Sequence, residues 1–129
     1  MASGQVEFRL KKDLVIWLAT VGPVGDPHVV PVWFLWDDKS ILVYAIPGQK
    51  VRDIQGNPNV ELHLNSDAEA SDVLRVSGTA KVVKSQPPAH KVPAYVAKYR
   101  GLIKKYKWTP QSFAEQYHVA IRVTKLRIH

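Results

Sequence analysis

The sequence predicts a mainly β chain, a six-stranded antiparallel barrel with a few short helices. Three observations carry this. Apolar, β-branched runs recur at short intervals, each closed by a tight polar turn. Helical periodicity is confined to short stretches, so strands do not alternate with crossover helices as in a βαβ fold. Pro31 lies inside one apolar run, and it cannot donate to a ladder, so the sheet must have a gap, an edge or a bulge there.

The elements follow in order. QVEFRLKK (5–12) reads as a short amphipathic helix with Val6 and Leu10 on one face. LVIWLATVG (14–22) is a buried strand, and PVGDP (23–27) is a turn centred on Gly25-Asp26. HVVPVWFLW (28–36) is the second strand. Asp37-Asp38-Lys39 turn the chain into the third, SILVYAI (40–46). A Pro-Gly turn then opens a short helix that ends near Gly56, and Asn57-Pro58 stops it, because a residue before proline resists helical geometry.

NVELHLN (59–65) alternates Val60, Leu62 and Leu64 against Glu61, His63 and Asn65, the period of a half-buried strand. SDAEASD (66–72) is a polar loop. VLRVSGTAKVVK (73–84) is a long strand with a bulge or bend expected at Gly78. From Val92 the period becomes helical, through Tyr95, Val96, Tyr99, Leu102, Ile103 and Tyr106. Lys91, Lys98 and Lys105 lie seven residues apart on the opposite, basic face. Thr109-Pro110 is an N-cap with proline in the first turn, starting a second helix to about Tyr117. HVAIRVTKLRIH (118–129) is the sixth strand.

At 129 residues one domain spanning 1–129 is expected, and 46% hydrophobic content supplies a core. Dimerisation would add burial to a chain this small. There are no cysteines, which excludes disulfides and thiolate metal sites. MASGQVEFRLKKD lacks the apolar centre of a leader peptide, and no run is long enough to span a membrane, so a cytoplasmic location is expected. The net charge is +7, unevenly placed. Residues 81–129 hold eleven Lys and Arg and one acid, leaving seven bases and ten acids elsewhere. Anionic ligands or partners would be drawn to that C-terminal part.

Three stretches could carry chemistry. In YAIPGQKVRDIQGNP (44–58) a strand becomes a helix beside Gly48, Gln49, Lys50 and Arg52. Free N–H groups at a helix start favour an anion, Lys50 adds a charge and Gln49 an amide. On a helix Arg52 points well away from Lys50, so Lys50 is the stronger phosphate candidate. A solvated helix start with surface cations remains the alternative. In VVPVWFLW (29–36) the proline exposes backbone groups that could meet the edge of a flat heteroaromatic ring; Trp33 and Trp36 could equally be core or interface residues. The basic helix 91–107 could meet nucleic acid, a membrane surface or a polyanion, or simply be a solvated face, and its tyrosines fall at core spacing.

The five histidines are scattered without i, i+4 pairs, so no metal site is expected. No nucleophile elbow or triad pattern is present. No catalytic side chain is assigned. Enzymatic chemistry here would belong to a cofactor.

Together, WLATVGPVGDPHVVPVWFLWDD, ILVYAIPGQKVRDIQGNPNVELHLN and VLRVSGTAKVV resemble the flavin-binding split-barrel superfamily of pyridoxamine 5'-phosphate oxidase. The likeness is greatest to its small flavin and deazaflavin oxidoreductases, often called F420-dependent. YVAKYRGLIKKYKWTPQSFAEQYHVAIRVTKLRIH resembles one of their subfamilies, and the resemblance runs from about residue 12 onward. It implies a split β-barrel homodimer with two cofactor sites at the subunit interface. Val30, Pro31, Val32 and Trp33 would set backbone against the isoalloxazine or deazaflavin ring, with His28 on the same strand in the cofactor-binding set. Gly48, Gln49 and Lys50 would hold the cofactor phosphate, and Arg52 matches a frequently basic position.

Two departures stand out. Asp53 occupies a position that is often Asn, and Ala45 one that is often Ser or Thr. The sequence also ends in KLRIH, without the C-terminal substrate segment of true pyridoxamine phosphate oxidases, which argues against that substrate. The implied activity is hydride transfer from coenzyme F420 to a small conjugated organic substrate. An FMN-dependent oxidoreductase or oxidase is the alternative, and a basic barrel binding nucleic acid is a more distant one.

Overall fold

A computed structural model describes residues 4–129; Met1, Ala2 and Ser3 lie outside the described residues. Helix α1 (Gly4–Lys12) leads into β1 (Ile16–Val21), β2 (Pro27–Val32), β3 (Leu35–Asp37) and β4 (Ser40–Ala45). Helix α2 (Gln49–Gly56) is followed by β5 (Asn59–Leu64) and β6 (Arg75–Val82). A 3₁₀ turn (Ala89–Lys91), α3 (Pro93–Lys105) and α4 (Pro110–Gln116) precede β7 (Val119–Ile128).

The strands form one antiparallel sheet in the order β2-β1-β5-β6-β7-β4-β3. The described residues thus hold seven strands where six were expected, because the stretch 28–36 divides. Its first part pairs with β1 at one end of the sheet and its last part with β4 at the other. The two ends of the sheet are therefore joined by two residues, Trp33 and Phe34. The sheet must curl until its ends approach, which makes the split barrel. Pro31 sits opposite Trp17 on an end strand, where its missing N–H costs no ladder bond on the outer side.

The seam is clasped from α3. Tyr99 Oη accepts from the Phe34 N–H at 2.7 Å and lies 2.8 Å from the Leu14 carbonyl and 2.9 Å from the Phe34 carbonyl. Burial pushes the Tyr99 phenol up, so it keeps its proton for one of those carbonyls. Lys98 Nζ also donates to the Phe34 carbonyl at 2.8 Å and sits 3.8 Å from the centroid of the Phe34 ring. Lys98 is therefore half-buried rather than on the solvated stripe with Lys91 and Lys105, and burial brings its pKa down to about 8. Tyr99→Phe should lower stability by about 2–4 kcal/mol, because a lost hydrogen bond adds to a buried Phe34 N–H left without a partner. Urea unfolding measures this; an unchanged midpoint would show that the clasp contributes nothing.

β4 is buried along its whole length because both its faces are covered. Ile41, Val43 and Ala45 point into the barrel with Ile16, Leu18, Leu62, Val76 and Ile121. Leu42 and Tyr44 point outward against Tyr95, Tyr99, Ile103 and Phe113 of the helical excursion. The two cores share β4 as a common wall, so α3 and α4 are fixed relative to the barrel. The expected bulge at Gly78 is present as a register shift between Ser77 and Thr79 against β7. A Cβ at Gly78 would come within 2.8 Å of Val123 Cγ1, so a side chain there would force β7 away. Thr109 caps α4 as expected, and the Ser112 hydroxyl oxygen in turn accepts from the Thr109 N–H at 2.9 Å.

Candidate functional site

The short helix α2 is held by Val51 and Ile54 in the barrel core. Its start is bare. Gly48 precedes it in extended conformation, no side chain caps it, and the first turn holds no acid. First-turn N–H groups of such a helix have no intrahelical acceptor and favour an anion. A Cβ at Gly48 would meet nothing closer than the Ile46 carbonyl at 3.9 Å, so the space beside this backbone is open.

Lys50 lines a cleft of about 410 Å³. One wall is Pro31, Val32 and Trp33 at the end of β2. The floor is Tyr44, Ala45 and Ile46. The remaining wall comes from Tyr106, Trp108, Phe113 and Tyr117, at the end of α3 and on α4. Trp33 lies flat between two rings: its centroid is 4.6 Å from Tyr99 at 2° and 5.3 Å from Phe113 at 11°. Phe113 in turn stacks on Tyr117 at 4.6 Å. Offset stacks of this kind hold rings in fixed planes. The cleft therefore offers rigid apolar walls with one cation at its α2 end.

The other residues singled out from sequence go elsewhere. Arg52 points to a second hollow of about 510 Å³, shared with Gln49, Asp53 and the Gly22–Gly25 turn. This separates it from Lys50, as helical geometry requires for neighbours two residues apart. Val30 is on the exposed outer edge of β2. His28 and Gln49 meet at Asp53, which is 2% exposed. Asp53 Oδ2 accepts from Thr20 Oγ1 at 2.7 Å and from His28 Nδ1 at 2.6 Å. Its Oδ1 accepts from Gln49 Nε2 at 2.7 Å, and Gln49 Oε1 accepts from Arg52 at 3.1 Å.

On its other side His28 Nε2 lies 3.0 Å from Asp26 Oδ2. The hydrogen bond to Asp53 raises the His28 pKa against the opposing effect of burial, and the charges of Asp53 and Asp26 add to it. Burial alone would raise Asp53, but the bonds from Gln49, His28 and Thr20 outweigh it and hold the carboxyl below its ordinary value.

Sequence reading did not place Asp53, Tyr106, Trp108, Phe113 or Tyr117 in the site. The signal for Asp53 was an acid between two core positions, Val51 and Ile54. For the aromatics it was four rings within 106–117, whose core-like spacing concealed that they also edge a cleft. Among the described residues no group of three or more His, Cys, Asp and Glu is placed to hold a metal ion, and no helix is long and apolar enough to cross a membrane.

The sequence matches the family model described as pyridoxamine 5'-phosphate oxidase over residues 3–129. No curated protein matches it. Solved structures share the fold. A conserved hypothetical protein from Mycobacterium tuberculosis superposes with a TM-score of 0.73 at 22% identity, covering 99% of this chain and 84% of its own. A structure described as an F420 reductase gives 0.65 at 23%, covering 98% of each chain. HutZ, the heme storage protein from Vibrio cholerae, gives 0.60 at 17%, covering 95% of this chain and 89% of its own. At these identities the likeness speaks for the split-barrel fold alone.

Proposed function

The chain belongs to the pyridoxamine 5'-phosphate oxidase family of flavin-binding split barrels, and from that premise we propose that it is an oxidoreductase using coenzyme F420 to reduce a small conjugated organic substrate. One observation carries the reading: Lys50 and the Pro31-Val32-Trp33 backbone share one aromatic-walled cleft. That donor set fits a flavin-type group. Rigid apolar walls suit a tricyclic ring, and an uncapped helix start beside a lysine suits its phosphate.

When bound, the cofactor supplies the hydride. The chain binds and orients it. Lys50 and the first turn of α2 hold the anionic end. Trp33 and the 106–117 aromatics fix the plane of the ring and keep water from its face. No side chain of the cleft is assigned as proton donor, and the proton comes from solvent. The basic residues of 81–129 are compatible with the polyanionic tail of F420. FMN in the same cleft is the second reading, because FMN ends at its phosphate and one lysine with a bare helix start suffices for it.

A second copy completes the site in this proposal. Val24, Val29 and Val30 are 87%, 51% and 36% exposed on β2 and the turn before it, an apolar edge that a partner would cover. Light scattering should give twice the 14.5 kDa chain mass.

Parallel titration of the purified protein with F420 and FMN tests the function. Tighter F420 binding is expected, and tighter FMN binding would overturn the choice of cofactor. Gly48→Ala should fold normally, since its backbone is extended and the space is open, yet weaken whichever cofactor binds. Unchanged affinity would mean that no ligand approaches that backbone.

A further inference from the structure

His28 has a carboxylate on each ring nitrogen: Asp53 at 2.6 Å on Nδ1 and Asp26 at 3.0 Å on Nε2. A neutral imidazole has one N–H and one lone pair, so it would turn its lone pair toward one of these anions. Only the imidazolium satisfies both. The three groups come from separate places. Asp26 is in the β1–β2 turn, His28 is on β2 opposite Thr20 of β1, and Asp53 is on the inner side of α2. Gln49 closes the set from the first turn of α2, one residue before Lys50. Arg52 faces away and binds Gln49. The charged groups around His28 are thus Asp26, Asp53 and, through Gln49, Arg52.

We propose that His28 is a positioning residue: as an imidazolium between Asp26 and Asp53 it pins α2 to β2, and so sets Lys50 toward the cleft. The role in ligand binding rests on reading the Lys50 end of the cleft as the anion site; the pinning of α2 does not. Asp53 is central because it is the buried acceptor shared by β1, β2 and α2. An Asn at that position would bring one acceptor oxygen and an NH2 group that only donates, so it could not accept on both sides as the carboxylate does from Thr20, His28 and Gln49.

The pH dependence follows from the signs. His28 has a raised pKa, so its contribution is complete below the ordinary value of 6.5 and is lost as pH rises through the raised one. Asp53 has a lowered pKa, so its contribution is complete above the ordinary 3.8 and is lost as pH falls through the lowered one. Between these limits α2 is pinned.

Nitrogen-15 NMR of the whole chain from about pH 5.5 to 9 tests this. The His28 ring should carry protons on both nitrogens at the acid end. Amide protection in α2, and the Lys50 amide shift, should follow the titration of His28, with about a 10-fold loss of protection once it is neutral. His28→Gln should show the low protection at every pH; Asp53→Asn is the second variant should the first fail to fold. Protection that ignores the His28 titration, or a variant matching wild type, overturns the proposal.

FMN and F420 affinities at the same pH values complete the test. The ratio of wild type to variant cancels titration of the FMN phosphate itself. A ratio of about 10 at low pH that falls toward one at high pH supports the link to Lys50; a ratio of one throughout overturns it. Wild type that binds neither cofactor refutes the functional reading instead, and the protection factors then decide the pinning alone.

Discussion

Replacing Phe113 by Ala should destabilise the protein by about 3–5 kcal/mol, the usual cost of emptying a buried aromatic site. Phe113 is 3% exposed and touches four other rings: Trp33, Tyr95, Trp108 and Tyr117. It stands on a helix of seven residues, too short to persist without packing. The side chain therefore holds α4 to the barrel as well as filling space. It also supports one face of Trp33, the ring that lines the cleft beside Pro31. Loss of stability in urea should be accompanied by weaker binding of whichever cofactor occupies the cleft. Phe113→Leu keeps most of the volume and should retain most of both. A loss below about 1 kcal/mol for the alanine variant would mean that the aromatic wall can collapse around the gap.

Lys50→Ala should weaken cofactor binding by about 10- to 150-fold, the range for a charge-assisted hydrogen bond of about 1.5–3 kcal/mol. Stability should change little. Lys50 makes none of the bonds that hold α2; those come from Val51, Ile54 and Asp53. Arg52→Ala is the internal control, because Arg52 faces the second hollow. Equal effects of the two substitutions, or no effect of Lys50→Ala, would remove the phosphate from the Lys50 end of the cleft.

Much of this molecule could be read locally. The β1–β2 turn, the hairpin at Asp38-Lys39, the bulge at Gly78 and the cap at Thr109 each follow from a few neighbouring residues, and the structure has all four. Asp38 and Lys39 both take positive φ, 49° and 63°, the geometry of a two-residue turn that matches strand twist. Pro31 implied an edge, a gap or a bulge, and it lies on an end strand. The separate directions of Lys50 and Arg52 followed from helical pitch alone.

The division at Trp33-Phe34 was not legible, because every residue after His28 is apolar and the interruption that Pro31 signals lies before Trp33. The break arises where the sheet ends meet, and it is held by Tyr99, 65 residues away. Lys98 looked solvent-facing by its spacing, but the carbonyl of Phe34, a buried residue, gave it an acceptor. Asp53 stood out in the sequence only as a departure from a position that is often Asn, because its partners Thr20 and His28 are 33 and 25 residues distant.

What the sequence determined by itself was the period, the turns and the caps, because those depend on steric preferences within a few residues. Only the tertiary structure decided which polar groups became partners. Once β1, β2 and α2 close on one another, water is excluded, and each buried donor must find an acceptor among the residues that the fold brings there. That selection made Asp53 the acceptor that joins three elements, and left Lys50 facing the cleft.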